Sequence, residues 1–193
     1  WGSVIFKGKY KKHGCAVLVR EGGYRAWTPS ADQPWLQRIG GAVAVAQTHL
    51  TILNSRIEGN SAGAEGGGGV SANSATLTLT NVDFAHNSAA GEGGALVSWF
   101  QTATLTDVTL RGNESVTGNG GAASVRAGTL WGYRLRVDSN RSFGDGGGLW
   151  FWEGTVATIE DSSLRWNTQQ SGYGAGLYVD AAGSVGLVDT TVA

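Results

Sequence analysis

Six segments of this sequence open in the same way, and their spacing restricts the chain to one kind of architecture. Gly40-Gly41-Ala42-Val43, Gly67-Gly68-Gly69-Val70, Gly93-Gly94-Ala95-Leu96, Gly120-Gly121-Ala122-Ala123, Gly146-Gly147-Gly148-Leu149 and Gly174-Ala175-Gly176-Leu177 follow one another at intervals of 27, 26, 27, 26 and 28 residues. A second landmark, an apolar residue three places before an asparagine, recurs as Ile57/Asn60, Phe84/Asn87, Leu110/Asn113, Val137/Asn140 and Leu164/Asn167. The two landmarks stay in phase, and a fixed period of this length marks a stack of like units.

Within each unit the apolar residues alternate, as in Val43-x-Val45 and Leu77-x-Leu79, over stretches of three to five residues between Gly- or Asn-rich corners. Period two means strand, and helical spacing is absent. Glycine supplies 32 of 193 residues and methionine none, which also disfavours long helices. The pattern therefore predicts an all-β fold, a right-handed parallel β-helix (solenoid) with about 27 residues and three short strands per turn, and about six turns from residue 14 on. One turn cannot bury its own apolar face. Turns stacked about 4.8 Å apart form a continuous core and pair their backbones with the turns above and below.

Stacking places equivalent residues in columns. The asparagines Asn60, Asn87, Asn113, Asn140 and Asn167 are expected to form an internal amide ladder, each bonding its neighbour one turn away. The paired glycines mark sharp entries into the first strand. The inward phase assigns Val43, Val45, Leu50, Ile52, Ile57, Leu77, Leu79, Phe84, Leu96, Leu105, Leu110, Leu149, Phe151, Ile159, Leu164 and Leu177 to the core.

Residues 40–193 carry the regular repeat; residues 1–39 lack the Asn. Gly14-Cys15-Ala16-Val17 lies 26 residues before Gly40, and Ile5 lies nine before Gly14, as Phe84 does before Gly93. The N-terminal part is thus either degenerate turns in the same phase or a separate cap. It carries seven Lys/Arg and two acids, against seven and thirteen in residues 40–193, and the formal net charge of −1 argues against nucleic acid as the main partner. Lys7, Lys9, Lys11 and Lys12 read as a solvated turn. No window of 18 apolar residues occurs, so no membrane insertion by this chain is expected. The missing methionine suggests a processed or excised segment, and Val185–Ala193 enters a strand just short of the next Asn position. The single Cys15 has no partner for an internal disulfide.

The in-phase pair, Gly-Gly-Ala-apolar followed by apolar-x-x-Asn, resembles the repeat of the chlamydial polymorphic outer membrane proteins and related bacterial surface proteins with right-handed parallel β-helix repeats. The resemblance covers residues 40–193 well and residues 1–39 poorly. It implies export, a cell-surface or extracellular location associated with the outer membrane, and a role in adhesion or as an autotransporter passenger. No β-barrel translocator follows in this sequence.

The outward positions bear on function. One column reads Ala44, Ser71, Val97, Ser124, Trp150, Tyr178, and the next reads Ala46, Asn73, Trp99, Arg126, Trp152, Asp180. Trp99, Arg126, Trp150, Trp152 and Tyr178 are expected to form an aromatic patch with the guanidinium between Trp99 and Trp152. Such a patch suits a protein partner, self-assembly or the apolar face of a sugar. Alternatively it lies beneath a loop, an adjoining domain or a second chain. The next face, Thr51, Thr78, Thr104, Trp131, Thr158 with Leu53, Thr80, Thr106, Tyr133, Glu160, is read as ordinary strand surface.

Charges alternate along two columns, Asp107, Arg134, Asp161 and Arg111, Asp138, Arg165, as register-setting surface pairs. Glu92 and Asp145 stand two turns apart, too far to share a calcium ion, so no metal and no cofactor are expected. His13, His49 and His86 share no column, and no catalytic residues are assigned. The expectation is a non-enzymatic extracellular or cell-surface module acting in adhesion, as a spacer or as a subunit of a larger assembly. The alternative is a carbohydrate-active enzyme or glycan-binding β-helix of the pectin-lyase kind, since this scaffold hosts both.

Overall fold

The computed structural model describes residues 5–7, 41–64, 66–181 and 183–193. Among them the chain is a parallel β-solenoid of about five turns, without helix. A first wall of six strands, Val43–Ala46, Val70–Asn73, Leu96–Trp99, Ala123–Arg126, Leu149–Trp152 and Leu177–Asp180, stacks in register. A second, ten-stranded sheet holds the middle of each turn, and a third of five two-residue strands, from Ser61–Ala62 to Thr168–Gln169, follows the asparagines. The third sheet was hidden in the sequence because two residues are too few to show alternation.

The second and third strands expected for each turn merge in the early turns. They run as His49–Glu58, Thr76–Ala85 and Thr102–Arg111, and separate later into pairs such as Val156–Glu160 and Ser163–Arg165. A single left-handed residue bends each of them: Asn54, Asn81, Asp107, Arg134, Asp161 and Asp189, with φ between 45 and 54°. Two more such columns turn the other corners, Gln47, Ser74, Phe100, Ala127, Glu153, Ala181 and Gly59, His86, Gly112, Ser139, Trp166, with φ between 45 and 67°. One left-handed residue redirects the chain sharply without a loop, which keeps the period short; glycine, Asn and Asp tolerate it best.

Pairing registers align Val43, Val70, Leu96, Ala123, Leu149 and Leu177 in one inward column. Ile57, Phe84, Leu110, Val137, Leu164 and Val192 form another. Every residue assigned to the core from the sequence is buried except Leu177, which is half-buried in the last described turn. Each fully buried Leu or Phe contributes roughly 1.5–3 kcal/mol, so these columns dominate cohesion.

The asparagine ladder is continuous. The Asn60, Asn87, Asn113 and Asn140 amides donate to the Oδ1 atoms of Asn87, Asn113, Asn140 and Asn167 at 2.9, 3.1, 2.9 and 2.9 Å. The same four oxygens also accept the backbone N–H of the preceding rung at 2.9–3.1 Å. The second amide hydrogen of Asn87, Asn113, Asn140 and Asn167 goes back to the carbonyls of Ile57, Phe84, Leu110 and Val137. All five side chains are buried, and at the inner rungs every polar atom of the side chain is filled.

The glycine pairs have two separate tasks. Gly93, Gly120, Gly146 and Gly174, first of their pairs, adopt φ of 60–66°. Their successors stand where turns touch: a Cβ on Gly94 would lie 2.2 Å from the Gly121 carbonyl oxygen and 2.5 Å from the Glu114 nitrogen.

At the N-terminal end, Ile5–Lys7 pairs antiparallel with His49–Glu58, Ile5 opposite Thr51. A turn in the same phase would run parallel and place Ile5 beside Ile57, so this strand does not continue the stack and closes one of its edges. The rest of residues 1–39, with Cys15 and His13, lies outside the described residues, as does that part of the six-turn expectation.

Candidate contact surface

The first outward column is not exposed. Ser71, Val97, Ser124 and Trp150 are buried, Trp150 at 5 %, and only Ala44 and Tyr178 at the ends of the column are partly open. The cause is the segment before each glycine pair, which crosses back over the start of the strand. Its Glu92 accepts a hydrogen bond from Ser124 Oγ at 3.0 Å, and a Cβ on Gly93 would lie 2.7 Å from Val97 Cγ2. A covering loop was one of the alternatives for the aromatic patch, and for Trp150 it is the one realised.

The second outward column carries the interaction expected of Arg126, with a different partner. Its guanidinium lies 4.2 Å from the Trp152 ring centroid and 5.3 Å from that of Phe100, which stands in the place foreseen for Trp99. Arg126 also makes a bidentate pair with Glu153 at 2.7 and 2.9 Å. Trp152 stacks on Trp150 with centroids 4.8 Å apart and planes 15° from parallel. A flat ring has two faces, and those of Trp152 are taken by Arg126 and Trp150, so it offers no platform to a sugar. The Nε1 atoms of Trp99, Trp150 and Trp152 are buried without an acceptor. Tyr178 stacks instead on Tyr173 at 6.0 Å. Burial, with Asp145 and Asp180 nearby, raises its phenol above the ordinary range.

Glu92 is the perturbed acid of this region. Burial pushes its carboxyl up, opposed by the Ser124 hydroxyl and Arg126 and assisted by the charge of Glu153. A carboxyl raised in the fold favours folding most when protonated, so its contribution is full below the free value and is lost as pH rises through the raised one. Glu92→Gln keeps an oxygen for Ser124 and is expected to raise the melting temperature near neutral pH, with the gain vanishing below 4.5, the free-glutamate value. Thermal melts at both pH values check this; a lower melting temperature near neutrality would mean that the Arg126 attraction outweighs burial.

The large sheet presents Thr51, Thr78, Thr104, Trp131 and Thr158 outward in register, as the phase required. At its bend Arg134 forms two bonds to Asp107 and covers the Tyr133 ring at 4.1 Å. Hydrogen bonding to Arg134 holds the Asp107 carboxyl below the usual range. The other charge column departs from expectation: Arg111 turns to Asp83, at 3.0 and 3.1 Å, and not to its register neighbour Asp138. Strand neighbours share a column, but a long guanidinium reaches diagonally.

His49 and His86 are exposed and share no cluster, and among the described residues no three His, Cys, Asp or Glu side chains converge. Phe100 and Glu153, missed from the sequence, belong to corner columns whose left-handed φ breaks strict alternation. No protein-family model matches the chain, and comparison with curated proteins and with solved structures finds no match. The class is thus defined by its geometry, a parallel β-solenoid.

Proposed function

We propose that this chain is a non-enzymatic module of an extracellular or cell-surface protein that works by contact, in adhesion or as a subunit of a larger assembly, in the manner of the polymorphic outer membrane protein-type repeat. One observation carries the reading. Trp166 sits in a left-handed corner with φ of 53° and is 70 % exposed, and Phe100, at φ of 65°, is 43 % exposed. A bulky side chain costs backbone energy in that region and gains little burial there, so folding does not account for either ring. Exposed aromatics are the residues that carry contact energy at interfaces.

The test replaces both rings by a residue that suits the corner. Phe100→Asn with Trp166→Asn is expected to keep or raise the melting temperature while lowering oligomer mass in sedimentation and binding to protein and glycan arrays. A wild-type chain that stays monomeric and binds neither array defeats the proposal, as does a double variant with unchanged association.

A second reading, a carbohydrate-active enzyme, is favoured by one feature. Glu92 is shifted toward its neutral form and lies within the electrostatic reach of Glu153, which Arg126 pairs as a carboxylate. Two acids pushed apart in this way can divide acid and base roles. Product release from a panel of acidic polysaccharides, abolished by Glu92→Gln, would replace the first reading with this one.

A further inference from the structure

The bend in the large sheet makes a cleft that runs along the stack. One part, of about 390 Å³, is lined by Asn54, Arg56, Asn81, Asp83, Asp107 and Thr109 among others. The next, of about 510 Å³, begins at the same Asp107 and continues past Arg134, Arg136, Asp161, Ser163 and Arg165 to Asp189. Volumes of this order are typical of small-ligand sites, about 300–1,000 Å³. The residues that line it follow from the fold: the left-handed column supplies Asp107, Arg134, Asp161 and Asp189, and the strand beyond the bend supplies Arg136 and Arg165.

The two parts differ in how their charges are satisfied. In the smaller part, Arg56 and Asp83 are paired to each other, Asp83 also to Arg111, and Asn81 bonds Asn54. In the larger part only Arg134 and Asp107 are paired with each other. Among the described residues the side chains of Arg136, Arg165, Asp161 and Asp189 have no hydrogen-bond or ion-pair partner. Two free guanidinia and two free carboxylates therefore face one concavity. Asp161 and Asp189 occupy successive rungs, about 4.8 Å apart along the stack. On the adjoining wall Trp131, two positions before Tyr133, is 52 % exposed.

We propose that this cleft binds an acidic oligosaccharide, with Arg136 and Arg165 on its carboxylates and Asp161 and Asp189 on its hydroxyls. A guanidinium presents a planar fork of donors that matches a carboxylate. An ionised carboxylate is an acceptor only, and neighbouring hydroxyls on a sugar ring are donors spaced to reach its two oxygens. The open Trp131 ring offers an apolar plane for a sugar face. An acidic peptide would meet the guanidinia equally well, but it brings few donors to Asp161 and Asp189 and sets its own charges against them. The site goes beyond the contact reading above and uses neither Phe100 nor Trp166.

The experiment is calorimetric titration of the chain with a tetragalacturonate and with its carboxyl-reduced, neutral counterpart. Binding of the acidic sugar, weakened about tenfold or more by Arg136→Gln with Arg165→Gln and by Asp161→Asn with Asp189→Asn, is expected, because a lost charged hydrogen bond is worth about 1.5–3 kcal/mol. Unchanged melting curves show that both exposed pairs left the fold intact; if either variant melts early, the single variants Arg136→Lys and Trp131→Ser carry the same comparison. Equal affinity for acidic and neutral sugars, no binding of either, binding of an oligoglutamate in preference, or retention by the variants overturns the proposal. Those results leave the outcome for Phe100→Asn with Trp166→Asn untouched, so the two readings fail separately.

Discussion

Asn113→Leu is expected to lower stability by about 4 kcal/mol, although the replacement is nearly the same size and more apolar. Asn113 accepts the backbone N–H of Asn87 at 2.9 Å and its side-chain amide at 3.1 Å, and donates to the Phe84 carbonyl at 3.1 Å and to Asn140 Oδ1 at 2.9 Å. Leucine removes all four bonds at once. Asn140 Oδ1 keeps its other donor, the Asn113 backbone N–H. Two donors of Asn87 and the Phe84 carbonyl do not, and each unfilled buried group costs about 1–3 kcal/mol, only partly offset by the apolar gain. Urea denaturation measures the total, and amide exchange at Asn87 locates it. A loss under about 1 kcal/mol would mean that water enters the corner and fills those groups.

Gly94→Ala should act on spacing between turns and not on any one bond. The added methyl would lie 2.2 Å from the Gly121 oxygen and within 2.6 Å of Glu114 backbone atoms. Those neighbours are main chain held in two sheets, so no side chain can swing aside. Overpacking typically costs about 1–3 kcal/mol, and here the turns themselves must part, so a loss of at least about 3 kcal/mol is expected. The contrast is Gly59→Ala, where nothing lies within 4 Å of the added methyl and only the φ of 67° opposes it. Comparing the two in denaturation series separates crowding from backbone preference; equal losses would show that crowding at Gly94 is relieved by small shifts.

The stack was legible in the sequence because its cause is periodic. An asparagine at every turn can satisfy itself only against another asparagine one turn away, so Asn60 to Asn167 announced both the fold and the inward phase of Phe84 and Leu110. The outer surface was legible only in part. Outward phase placed Trp150 correctly on the far side of its strand, but exposure depends on what crosses above, and the segment holding Glu92 carries no repeat signal beyond its glycines. The same limit hid the pairing of Arg126 with Phe100: Phe100 follows Trp99 directly and would face inward in a continued strand, and only the left-handed bend turns it outward. The cleft was missed for a related reason. It is a product of curvature at Asp107, Arg134 and Asp161, and those residues looked in the sequence like compensating surface charges.

The ladder has a consequence for how such a chain changes length over generations. Each rung offers its neighbour the same acceptor that it takes from the next, so a duplicated unit of 26–28 residues meets, at both of its faces, the partner it already had. Insertion or loss of a whole turn preserves every column, inward and outward, whereas a change of one or two residues breaks them all. Length is therefore free to vary in steps while the character of each wall stays fixed. A contact surface built on this frame can be extended, shortened or copied without redesigning the core beneath it.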